Sequence, residues 1–151
     1  MASRDLNLLE PGTRKRVGWL LSWCKKQGID IIVTCTYRTP AEQTTLYAQG
    51  RTKPGSKVTN ARAWRSWHNV RRAFDICFTD GKKAIYSGPL AKWNEVAAKA
   101  KEIGLTWGGN FRSFKDKPHF QYEYDHTGAK HSLSYYVAQE KKAQELVKKK
   151  R

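Results

Sequence analysis

The chain has 151 residues, with 29 Lys and Arg against 13 Asp and Glu and a formal charge of +16. That length suits one domain around one core, and six Trp, seven Tyr and five Phe exclude a disordered polar chain. The charge predicts attraction to polyanions such as nucleic acid, anionic lipid or cell-wall polymer, without choosing among them.

The opening MASRDLNLLEPGTRKR lacks the apolar run of a signal peptide, and no stretch approaches the roughly 20 apolar residues of a membrane span. A protein held in the cytoplasm where it is made is expected. Val17, Leu20, Leu21 and Cys24 recur at helical steps between Pro11 and Gln27, and Gly28 supplies the stop. IDIIVTCTY then reads as a buried strand leading to Arg38. Thr39, Pro40 and Glu42 have the spacing of a capping box with Pro at the first helical position, so a short helix ending at Gly50 follows.

Residues 51–67 hold Gly, Pro, Ser and Asn without periodicity and read as an exposed loop running into His68. RRAFDICFT alternates, with Ala73, Asp75 and Cys77 on one face and Phe74, Ile76 and Phe78 on the other. Asp80-Gly81 turns the chain into a second strand, KKAIY. Leu90, Trp93, Val96, Ala97, Ala100 and Ile103 form a helical stripe closed by Gly104, and LTWGG and PHFQYEY read as further strands. A basic helix occupies about 132–151 and ends in KKKR. Cys24, Cys35 and Cys77 are odd in number, without a CxxC pair, and read as reduced, buried thiols.

His68 and Asp75 are seven residues apart, which lets a loop residue and an inward-facing strand residue share a cleft with the later His119. Two histidines and one carboxylate leave a fourth tetrahedral position on zinc open, where water is acidified towards neutrality. Asp116, three residues before His119, is then placed to act as general base, and Arg38 to face the developing oxyanion. Taken separately these residues leave a structural reading open, with Asp75 paired to an arginine and His119 a satisfied core histidine.

SxHxxxxAxD at Ser66, His68, Ala73 and Asp75, WGG at Trp107 to Gly109, and DxPHF at Asp116 to Phe120 resemble the D-alanyl-D-alanine metallopeptidase family, with particular likeness to phage endolysins that hydrolyse the L-alanyl-D-glutamate bond. The likeness covers roughly residues 30 to 125. It implies His68, Asp75 and His119 as ligands of one Zn²⁺, Asp116 as catalytic base, Arg38 as transition-state stabiliser, and Ser66 and Gln43 as lining the substrate cleft. Trp64 and Arg71 stand where the family usually has glycine, so if those glycines take positive φ the loop around His68 is expected to follow another path.

The resulting expectation is a single α+β domain over residues 1–151, with a small, mainly antiparallel sheet and helices packed on one side. By the resemblance it is a monomeric peptidoglycan hydrolase that lyses its host, leaving the host cytoplasm once the membrane is permeabilised. Its basic surface, KKKR included, would dock on anionic envelope polymers or lipids. A D-alanyl-D-alanine carboxypeptidase is the alternative bond specificity. A nucleic-acid-binding module is the alternative class, resting on Trp64, Trp67 and the neighbouring arginines, but no recognised nucleic-acid motif accompanies them and no nucleic-acid partner is expected.

Overall fold

The computed structural model describes residues 3–150; Met1, Ala2 and Arg151, the last residue of KKKR, lie outside the described residues. Helix α1, Pro11–Lys26, starts where the Glu10 carboxylate accepts the Thr13 amide, and it buries Val17, Leu20 and Cys24. Strand β1, Ile31–Cys35, is shorter than the apolar run suggests. Thr36 leaves the ladder because its amide and hydroxyl bond the Ser3 and Asp5 carbonyls of the N-terminal segment.

Helix α2, Pro40–Ala48, has the expected capping box, with Thr39 and Glu42 exchanging side-chain-to-amide bonds at 3.0 and 2.9 Å. A loop leads to the 3-10 turn Trp67–Val70 and then to β2, Ala73–Thr79. KKAIY contributes only β3, Ala84–Ile85, because the Asp80 carboxylate draws the amides of Lys82 and Lys83 into the preceding turn. Helix α3, Leu90–Glu102, precedes β4, Thr106–Trp107, and β5, His119–Gln121. Helix α4, Leu133–Lys149, closes the chain.

These five strands pair antiparallel in the order β1-β2-β5-β4, with β3 also on β2. Alternation along β2 sends Phe74, Ile76 and Phe78 into the core with Phe120, Val17, Leu20, Trp93 and Val96. The α+β class is therefore as the sequence indicates, and α1 and α3 pack on one face. Helices α2 and α4 do not contribute to the core cluster, and Leu46 and Leu133 border the cleft that Asp75 lines.

The Trp93 ring is fully buried and lies 4.6 Å from that of Phe78. Trp93→Ala is expected to cost about 3–5 kcal/mol of unfolding free energy, measured by urea denaturation; a loss below about 1 kcal/mol would contradict its central place.

Candidate active site

Asp75 and His119 are direct partners in the β2–β5 ladder, so both side chains leave the same face of the sheet. His68 reaches them from the 3-10 turn, with Nε2 3.1 Å from Asp75 Oδ1, while His119 Nδ1 lies 3.3 Å from the same oxygen. The opposite ring nitrogens are occupied. His68 Nδ1 donates to the Thr36 carbonyl at 2.7 Å, and His119 Nε2 donates to Gln121 Oε1 at 2.8 Å. The Gln121 amide is oriented in turn by its donation to Glu123 Oε2 at 3.1 Å. Both imidazoles thus turn their remaining nitrogen to the point where Asp75 offers an oxygen, a donor set suited to zinc once the metal displaces the proton held there.

Cys35, His68 and Asp75 also hold ligand atoms within 4.8 Å of one another. The Cys35 sulfur, however, is 3.6 Å from His68 Nδ1, the nitrogen already bonded to Thr36, so it sits behind the ring rather than on the cleft side. All three cysteines are free and buried. Burial opposes charge on His68, but Asp75 outweighs it and raises the imidazole to about 10. Burial likewise opposes charge on Asp75, yet the two histidines hold its carboxyl well below the usual range.

The turn carrying His68 is built by its neighbours. Ser66 Oγ accepts the His68 amide at 3.2 Å, and buried Asn69 accepts the amides of Trp64 and Ser66 at 3.1 and 3.2 Å. Asn69 Nδ2 also donates to the Arg38 carbonyl at 2.8 Å, joining the turn to the segment that follows β1. Trp64 and Arg71 have φ of 66° and 65°. Both residues thus adopt the left-handed conformation that bulky side chains resist, because surrounding contacts hold it there. Trp64 and Trp67 do not form a free stacking platform, since Lys141 lies over Trp64 and Trp67 packs on Tyr136.

A cleft of about 900 Å³ is lined by Arg38, Ser66, His68, Asp75, Asp116 and His119 together. Gln43 is the exception among the predicted site residues. It is wholly buried and does not line the cleft, because its amide is spent on holding Arg38 Nη1 at 2.9 Å and the Ala61 carbonyl at 2.7 Å. Its role is to position the guanidinium. Asp116 hangs from Gly108: its amide donates to the Gly108 carbonyl at 2.9 Å, and a Cβ on Gly108 would come within 2.3 Å of the Asp116 carbonyl oxygen. Burial pushes the Asp116 carboxyl up, against the pull of His119. Trp107 is a core residue whose Nε1 ties down the Lys117 carbonyl at 2.7 Å, whereas Phe111 walls the cleft 5.8 Å from His119.

Gln121, Asn69 and the Thr36 carbonyl escape the sequence reading. Gln121 was detectable, being two residues beyond His119 on a strand and so on its face. Asn69 is adjacent to His68 and has capping chemistry, but a main-chain carbonyl such as that of Thr36 leaves no trace in sequence.

A family profile described as D-alanyl-D-alanine carboxypeptidase matches residues 59–122, which contain His68, Asp75, Asp116 and His119. The peptidoglycan L-alanyl-D-glutamate endopeptidase CwlK of Bacillus subtilis is 36% identical over 121 residues, covering 75% of this chain and 72% of CwlK. The L-alanyl-D-glutamate peptidase of Listeria phage A118 is 30% identical over 121 residues, covering 80% of this chain and 40% of that protein. Among solved structures, the L-Ala D-Glu endopeptidase ChiX of Serratia marcescens superposes with a TM-score of 0.58 at 18% identity, covering 81% and 88% of the two chains, which speaks to the fold. The motif order, the shared fold and the extent of the match to CwlK together place this chain in the D-alanyl-D-alanine carboxypeptidase family of metallopeptidases.

Proposed function

We propose that the chain is a zinc-dependent peptidoglycan peptidase that cuts the L-alanyl-D-glutamate link of stem peptides, acting as a phage endolysin in host lysis. The observation carrying this reading is the convergence of His68 Nε2 and His119 Nδ1 on Asp75 Oδ1 at the floor of an open cleft. The choice of bond rests on the likeness to CwlK and the Listeria phage peptidase, and the endolysin role on the latter.

His68, Asp75 and His119 would hold the metal, their outer nitrogens fixed by Thr36 and Gln121. When bound, zinc would supply the Lewis acidity that makes water a nucleophile near neutral pH. Asp116 is placed to hold a proton on its carboxylate and to deliver it to the amine of the departing peptide. Its raised pKa suits this role, since a carboxyl nearer neutrality holds the proton more readily. Arg38, pinned by Gln43, directs positive charge at the carbonyl oxygen as it becomes an oxyanion. Ser66 keeps the His68 turn closed at the cleft edge.

The surface charge fits the same setting. Helix α4 ends in exposed Lys148, Lys149 and Lys150 beside exposed Leu146 and Val147, a surface matched to anionic envelope polymers or lipids. Among the described residues no helix is long and apolar enough to cross a membrane.

Digestion of purified peptidoglycan followed by mass spectrometry should show new amino termini at D-glutamate. Release of D-alanine alone would instead establish carboxypeptidase action, and no release by the zinc-loaded chain would refute the peptidase reading. Asp116→Asn should lower kcat by about 10²–10⁴ while zinc content stays at one per chain. Gln121→Ala should weaken zinc binding by roughly 10–100-fold, because the His119 ring loses its anchor; chelator competition measures this. Replacing Lys148, Lys149 and Lys150 by Ser should slow lysis of outer-membrane-stripped cells at low ionic strength, with the difference vanishing near 1 M salt, where the screening length is about 3 Å. Equal rates at low salt would remove the docking role.

A further inference from the structure

Trp64 and Arg71 lie four residues before and three residues after His68, and both occupy the left-handed region. A non-glycine residue is disfavoured there by roughly tenfold or more, so it stays only where its surroundings hold it. Helix α4 supplies a side-chain contact to each of them, beside the Asn69 bond to the Trp64 amide and the Glu10 amide's bond to the Arg71 carbonyl. Glu140 Oε1 accepts from Arg71 Nε at 2.5 Å, and Lys141 Nζ lies 5.2 Å above the Trp64 ring. Tyr136, one helical turn earlier on the same face, packs 5.7 Å from Trp67 and 3.7 Å from the Arg72 guanidinium. Its hydroxyl donates to the Glu123 carbonyl at 2.8 Å, next to the carboxylate that orients Gln121 behind His119. The Arg71 guanidinium also donates to the Leu8 carbonyl at 3.2 Å and stacks 3.9 Å from Tyr37.

We propose that helix α4 is a clamp for the metal-binding turn, with Glu140 as the positioning residue that keeps Arg71 left-handed and so aims His68 at Asp75. Tyr136 and Lys141 complete the clamp on Trp67, Arg72 and Trp64. This inference rests on the reading of His68 as a zinc ligand. Loss of the clamp lets Arg71 relax to ordinary backbone angles, swings the turn, and weakens zinc binding without touching any ligand.

Arg71→Ala and Arg71→Gly delete the same ion pair and ring contact, but only glycine takes positive φ freely. Zinc affinity by chelator competition, together with the thermal midpoint of the metal-free chain, separates positioning from plain packing. R71A is expected to bind zinc about tenfold more weakly than the wild type, and R71G to remain within about twofold. E140A should lose about tenfold, and the loss should disappear when E140A is combined with R71G. That rescue tests the clamp even if R71A does not fold. Equal affinities for R71A and R71G, or an E140A loss that Arg71→Gly fails to rescue, would overturn the clamp while leaving the peptidase reading intact. A wild-type chain that takes up no zinc would overturn both.

Discussion

The register between β2 and β5 is the constraint on which the site depends. Asp75 opposes His119 on one face, and Phe74 opposes and stacks on Phe120 on the other at 5.6 Å. Because side chains alternate, a slip of one residue would carry Asp75 into the core and expose Phe74 in the cleft. Burying each of those phenylalanines is worth about 1.5–3 kcal/mol, so apolar packing on one face specifies where the carboxylate and imidazole meet on the other. The core formed with α1 and α3 thereby sets the ligand geometry at a distance from it.

Around that rigid pair, the remaining reactive groups arrive on connecting segments, as is common where a scaffold carries a site on its loops. Asp116 comes from the segment between β4 and β5, held against Gly108 and by the Trp107 indole. Arg38 follows β1 and is fixed by a glutamine that is itself inaccessible. His68 comes from a turn whose hydrogen bonds run through Asn69 to the Arg38 carbonyl, so a proposed ligand and the proposed oxyanion partner share one mechanical link. These helpers are polar and buried, and each spends its bonding capacity on another polar group, as burial requires.

The cleft combines opposing electrical tendencies. Its lining includes the part-buried Asp75 and the exposed Asp116, together with Lys57, Arg65, Lys115 and Arg38. The two carboxylates favour a cation, and the basic residues around them favour an anionic ligand. The exposed apolar side chains Val58, Tyr86 and Phe114 line the same cleft. Such surface is usually reserved for contact with another molecule.

Much of the architecture is local and could be read from the chain. The stripe of Leu90 to Ile103, the Thr39–Glu42 capping box and the alternation of RRAFDICFT each place their own element, because periodicity and capping act over a few residues. The same alternation put Asp75 on the face opposite Phe74, and the motif order picked out His68, Asp116 and His119 as its companions. Tertiary structure alone decided which nitrogen of each imidazole faces the cleft, since the Thr36 carbonyl and Gln121 settle that across separate segments. It also removed Gln43 from the cleft and kept Trp64 and Arg71 left-handed, against their own backbone preference. Local sequence states what a residue favours; contacts from distant segments, Glu140 and Lys141 of α4 among them, bear on whether it can follow that preference.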